Sequence, residues 1–209
     1  FCAANPLRYS DPTGMRLEYD IEDVKKKEEL IRTVNDLCQG SVLFNIMHGL
    51  LEKSETTFVV RFGETIKAED GHQVSGLYDS QNKSITFNQN YEPPHARVLT
   101  EEYYHAYQDD YRYLNGGEWN REFEAKVMTS CMLNGPNVGF VSFENMNDFS
   151  DDLYNNPFLL IDSSFKDRYF DVGQAFAKAY QSNPNYGYPV NGIPNTLIKI
   201  VNIWKNSMR

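Results

Sequence analysis

Apolar residues recur at helical spacing between Asp20 and Gln39. Ile21, Val24, Leu30, Ile31, Val34 and Leu37 share one face, and Gly40 is a natural stop. Ser41 is placed to cap a second helix that runs to about Lys53, with Val42, Leu43, Ile46, Met47 and Leu50 as its apolar face. The period then changes to two. Thr57–Phe62 reads as a strand, and Ser75–Tyr78 and Ser84–Phe87 read as the arms of a hairpin turning through Asp79–Lys83. Pro93 and Pro94 break the chain, and a long helix fits residues 95–113, ended by Gly116 and Gly117. A helix from about Trp119 to Leu133 follows. Residues 134–163, rich in Asn, Asp, Gly and Pro, read as irregular with one short strand at Gly139–Phe143. Helices near Ser164–Gln181 and Thr196–Ser207 complete the chain, with no internal repeats. The pattern predicts an α+β fold with a small sheet and a helical C-terminal part.

Composition and charge narrow the picture. The 209 residues suffice for one sizeable domain or two small ones, and 14 Tyr with 13 Phe favour a folded chain over a disordered one. A formal net charge of -9 works against nonspecific nucleic-acid binding, which needs clustered Lys and Arg against phosphates. No run of about 18 apolar residues occurs, so no membrane span is expected. Cys2, Cys38 and Cys131 form no Cys-x-x-Cys pair, so a thiolate zinc site is not expected. One disulfide is allowed but not required, and Cys38 and Cys131 read as small buried apolar side chains. No signal peptide is visible, and the opening Phe1-Cys2-Ala3-Ala4 reads as a fragment of a longer protein.

The turn-rich string Asn5-Pro6-Leu7-Arg8-Tyr9-Ser10-Asp11-Pro12-Thr13-Gly14 taken alone is a linker. It closely resembles "NPLxYxDPTG", the closing motif of the RHS/YD-repeat core. In that family a large β-solenoid shell ends at this motif and a variable C-terminal domain follows, often a toxin. The resemblance implies that residues 1–16 close the RHS core and that residues 17–209 form a separately evolving cargo domain. It also implies a secreted or cell-surface bacterial protein and an immunity-protein partner.

Candidate chemistry concentrates at Thr100-Glu101-Glu102-Tyr103-Tyr104-His105-Ala106-Tyr107-Gln108. On the expected helix, Leu99, Tyr103, Ala106, Tyr107, Tyr111 and Leu114 make an apolar stripe, and Glu101, His105, Gln108 and Arg112 make a polar one. Glu101 and His105 lie four apart, so they can grip one ion together, while Glu102 one step round can reach a metal-bound water. The plainer alternative is a solvated helix on which Glu101 and His105 pair across one turn. The segment resembles the His-Glu-x-x-His signature of zinc metallopeptidases, with Glu101 in place of the first His and Glu102 as general base. In gluzincin peptidases the third ligand is a Glu on the next helix, often followed by Ala. Glu124-Ala125 matches that pattern and is preferred over Glu122, although both are also ordinary first-turn acids at a helix N-terminus.

The resemblance thus implies a metal held by Glu101, His105 and Glu124. One imidazole and two carboxylates still suit Zn²⁺, but select it less strongly over Mn²⁺ or Fe²⁺ and acidify a bound water less. If metal is lost, Glu101, Glu102 and Glu124 crowd together and need Arg112, Arg121 or Lys126 to neutralise them. His95 and the Tyr-rich segment Asn185–Tyr188 are candidates for stabilising an oxyanion. The order helix, small sheet, motif helix, helical C-terminal part matches the zincin plan, in which the sheet's edge strand binds extended substrate; Ser84–Asn88 is the candidate edge. The expected function is a metal-dependent peptidase, a polymorphic-toxin hydrolase acting on protein or peptide. The alternative is a catalytically inactive zincin-shaped protein-binding domain. A nuclease or deaminase is disfavoured by the acidic balance and the lack of His-x-Glu with Cys-x-x-Cys.

Overall fold

A computed structural model describes residues 16–67, 71, 73–90, 94–111, 118–133, 146–179 and 193–209, without the side chains of residues 118–120, 146, 147 and 179. The first strand, β1 (Leu17–Tyr19), precedes helix α1 (Val24–Gly40). Asp23 caps α1 by accepting hydrogen bonds from the backbone N–H groups of Lys25 and Lys26 at 2.9 and 3.3 Å. Leu30, Val34 and Leu37 then form its buried stripe. Ser41 serves two helices. Its N–H closes α1 on the Leu37 carbonyl, and its hydroxyl accepts from the Phe44 N–H to open α2 (Val42–Glu52).

Three further strands, β2 (Phe58–Gly63), β3 (Gly76–Asp79) and β4 (Ser84–Asn88), join β1 in a four-stranded sheet of order β1-β2-β4-β3. The β1–β2 and β2–β4 pairings are parallel and β3–β4 is antiparallel. The hairpin lies where the alternation predicts it, and its turn contains Lys83 in the left-handed region at φ 50°. Two expectations need correction. Ser84–Asn88 is not an edge: β4 pairs with strands on both sides, and β3 stands outside it. The strand at Leu17–Tyr19 was also not foreseen; three residues carry no usable period, and pairing with β2 is what defines them.

The two edges of this sheet differ. Asn88 N–H donates to the Ser75 carbonyl, so the register of β3 on β4 turns the backbone groups of Leu77 and Asp79 inward. The N–H and C=O of Gly76 and Tyr78 therefore point away from the sheet. At the other edge Phe58 N–H donates to Arg16 and Asp20 N–H donates to Val60, which turns Leu17 and Tyr19 outward. There the Lys27 ammonium donates to the Tyr19 carbonyl at 2.9 Å, covering part of the edge.

The motif helix, α3 (Ala96–Asp110), and the helix after it, α4 (Glu118–Met132), form as the periodicity predicts. Residues 134–163 are not uniformly irregular. Helix α5 (Met146–Asn155) occupies part of them, burying Phe149 and Leu153 four apart within an otherwise polar stretch. The proposed strand at 139–143 lies outside the described residues. Short 3-10 turns at Pro157–Ile161 and Ser163–Phe165 lead into α6 (Lys166–Ala179), and α7 (Asn195–Ser207) ends the chain.

One hydrophobic core unites these elements. Tyr103, Tyr104 and Tyr107 of α3 are fully buried beside Phe44, Phe58 and Phe87. Phe123 of α4 meets Tyr169 edge-on at 5.0 Å and Phe176 at 5.5 Å. Cys131 is buried in this core and Cys38 is half-buried against it.

Candidate functional site

The apolar stripe of α3 decides what its other residues can do. Leu99, Tyr103, Ala106 and Tyr107 are fully buried, which turns Glu101, Glu102 and His105 toward the seam with β3 and α4. The hairpin is tied to this helix at its far end, where Tyr78 and Lys83 both donate to the Asp109 carboxylate. At the near end a glycine permits close approach. A Cβ on Gly76 would lie 2.6 Å from Val98 Cγ1 and 2.9 Å from Glu102 Cγ, so a larger residue would have to displace those two side chains. Glu102 is thereby held against the outer strand of the sheet.

Each predicted residue has a definite partner. Glu101 is neutralised twice: Arg97 Nε lies 3.0 Å from its Oε1 and Lys126 Nζ 2.6 Å from its Oε2. His105 places Nε2 3.2 Å from Glu122 Oε1 and Nδ1 2.9 Å from Gln108 Oε1. Glu124 points elsewhere. Its Oε2 accepts from Gln108 Nε2 and from the Thr196 hydroxyl, both at 3.0 Å. Gln108 Nε2 also donates to the Arg121 carbonyl at 3.2 Å. Of the other candidates, His95 stands at the N-cap of α3 without a side-chain cap bond, and Arg112, Tyr186 and Tyr188 lie outside the described residues.

Electrostatics follow from this layout. Burial pushes the Glu102 carboxyl up to about 7; His105 opposes that shift, while Glu122 and Glu101 reinforce it. Burial also works against charge on His105, but the adjoining Glu122 carboxylate outweighs it and raises the imidazole to about 9. The same pairing, helped by Lys126 and Arg121, overcomes burial at Glu122 and lowers that carboxyl to about 2. At neutral pH the cluster therefore holds an ionised Glu122, a protonated His105, and a Glu102 close to its midpoint.

A catalytic zinc, manganese or iron ion would need about three converging protein donors. The residues present do not supply them. Glu101 is occupied by two cations, Glu124 is turned to Gln108 and Thr196, and among the described residues no three His, Cys, Asp or Glu side chains gather closely enough to hold a metal ion. The predicted trio Glu101, His105 and Glu124 is thus split among separate surroundings. Glu122, the less favoured candidate, is the acid that reaches His105.

Four contributors escaped sequence reasoning in their actual roles. The Arg97–Glu101 pair was legible as an i, i+4 spacing. Lys126 was foreseen only as one of three candidate neutralisers of Glu101, Glu102 and Glu124, and Glu101 is the acid it reaches. Gln108 was placed on the polar stripe, yet its bridge to Glu124 joins two helices, and Thr196 enters from α7; no local pattern announces either contact.

The fold is α+β, with one small mixed sheet and a helical C-terminal part. Among models of known families, curated proteins and solved structures, none matches this chain. No described helix is long and apolar enough to cross a membrane.

Proposed function

We propose that residues 17–209 form a zincin-shaped recognition domain, carried as the C-terminal cargo of an RHS protein, that takes up an extended polypeptide along β3 without a catalytic metal. The observation that carries this reading is the double neutralisation of Glu101 by Arg97 and Lys126. The Lys126 ammonium brings the positive charge that a bound ion would otherwise bring. Gly76 is buried, so the outward N–H and C=O groups of half-buried Tyr78 are what a polypeptide strand can pair with, and Leu77 adds an exposed apolar side chain. A host or competitor protein as target, an immunity protein as antagonist and a secreted or surface location go with the RHS assignment.

Two measurements test it. Protein prepared with excess Zn²⁺, Mn²⁺ or Fe²⁺ and then dialysed should retain no stoichiometric metal; one ion per chain, lost in Glu122→Ala or Glu124→Ala, overturns the metal-free reading. Amide exchange at Tyr78 should slow on addition of reduced, carboxymethylated casein; unchanged exchange overturns the role of β3.

One observation favours hydrolysis as a second reading. A carboxyl lifted to about 7 is tuned for a general base at neutral pH, and Glu102 is that carboxyl. It would take the proton of an attacking water beside a polypeptide lying on β3. Growth inhibition by the expressed domain separates the two: Glu102→Gln leaves it intact under recognition and abolishes it under hydrolysis.

A further inference from the structure

Five side chains form a continuous hydrogen-bonded line across three helices. From the rim inward it runs Glu122, His105, Gln108, Glu124, Thr196, with contacts of 3.2, 2.9, 3.0 and 3.0 Å. Its inner end is buried: Gln108 is 0 % and Glu124 1 % exposed. The helices it joins are α3, α4 and α7, and Tyr107 fastens α7 independently by donating to the Thr196 carbonyl at 3.1 Å.

The direction of each bond is determined by what the groups can do. The Glu124 carboxylate and the Arg121 carbonyl only accept, so the Gln108 amide must turn its NH₂ toward both of them. A flipped amide would place its oxygen against two acceptors in a dry interior. Gln108 Oε1 is therefore committed to His105, and since an amide oxygen only accepts, the proton must sit on His105 Nδ1. Nε2 is left to face Glu122, as a lone pair when the ring is neutral and as a donor when it is charged.

We propose that Gln108 and Glu124 are positioning residues: anchored by Thr196 on the last helix, they hold the His105 ring in one orientation with its proton on Nδ1 and its Nε2 aimed at Glu122. This rests on the functional reading above, because His105 and Glu122 neighbour Glu102, the acid held against β3. Glu124 then serves the site through Gln108, without touching a ligand. The docking of α7 becomes a condition for a correctly set imidazole some distance from it.

Nuclear magnetic resonance of protein with ¹⁵N-labelled histidine rings tests this directly, with His105 assigned by comparison with His105→Gln. In the wild type, when pH is raised through the ionisation of His105, the proton that leaves should be the one on Nε2, so that nearly all of the neutral ring is the Nδ1–H form. Glu124→Gln keeps an acceptor for Gln108 and should preserve that form. Gln108→Met and Thr196→Val should yield a mixture of tautomers, the first more than the second. A wild-type neutral ring protonated on Nε2 overturns the proposal, and this result needs no variant to fold. An Nδ1–H population unchanged in folded Gln108→Met overturns it equally. Loss of polypeptide binding with the tautomer intact would strike the recognition reading and leave this inference standing.

Discussion

The two sides of α4 carry the same chemical group to opposite ends. Glu122 and Glu124 are two residues apart, so their side chains leave the helix roughly 200° from each other. Glu122 stands at the rim, its side chain 35 % exposed, and is satisfied by a charged partner, His105. Glu124 is 1 % exposed and accepts hydrogen bonds from two neutral donors, the Gln108 amide and the Thr196 hydroxyl. The rim acid gains Coulomb energy that water partly screens. The interior acid depends on correctly aimed dipoles, whose loss water cannot readily make good in a buried site. One side of the helix thus presents chemistry to the outside, and the other side fixes how that chemistry is held.

The sharpest way to break this contrast is to remove each acid in turn. Glu124→Leu should cost about 3 kcal/mol, since the buried Gln108 amide and Thr196 hydroxyl lose an acceptor together. Glu124→Gln, which retains one acceptor oxygen, should cost about 1 kcal/mol. Urea unfolding monitored by circular dichroism measures both. If Glu124→Leu proves no more damaging than Glu122→Leu, the interior acid is not the structural one.

Glu102 provides a third environment, intermediate between the two, and an effect of opposite sign. Its folded-state value near 7 lies above the ordinary 4.5 of a free carboxyl, chiefly through burial. Between those values the folded state binds more protons than the unfolded state, so stability falls as pH rises from about 4.5 to about 7. Glu102→Gln removes that penalty. It should stabilise the domain by up to about 2 kcal/mol at pH 8, discounting for partial solvent contact, and leave it unchanged near pH 4. Paired thermal melts at the two pH values give the answer; equal shifts at both would show that Glu102 is solvated like a surface acid.

What the sequence made legible follows the same division between local and long-range causes. Period and the Ser41 cap located α1 through α4, because Ser41 and the Leu99–Tyr103–Tyr107 stripe act within one helix, although α1 opens at the Asp23 cap and not at Asp20. The partner of His105 was not legible. Choosing Glu124 over Glu122 rested on the Glu-Ala pattern, whereas the outcome depends on how α4 is rotated against α3, and α4 also packs on distant elements, Phe123 against Tyr169 and Phe176 among them. The true edge of the sheet was hidden for a similar reason: β3 and β4 alternate alike, and only the insertion of β4 beside β2 assigns them to edge and interior.

The rim pair supplies the smallest and most pH-specific effect. His105 is raised from its ordinary 6.5 to about 9, so its share of stability is complete below 6.5 and disappears as pH rises through about 9. Glu122 is lowered from 4.5 to about 2, so its share is complete above 4.5 and disappears as pH falls through about 2. Both describe one interaction, fully present only between about 4.5 and 6.5, and a third of the Glu122 side chain meets solvent. Glu122→Gln should therefore cost only about 1 kcal/mol at pH 6 and almost nothing at pH 10. It should also return His105 from about 9 toward a lower midpoint, read from its ring proton resonances. A midpoint that stays near 9 in Glu122→Gln would mean that Glu102, the remaining neighbouring acid, sustains the imidazolium, and the rim would then be organised by α3 alone rather than by the meeting of two helices.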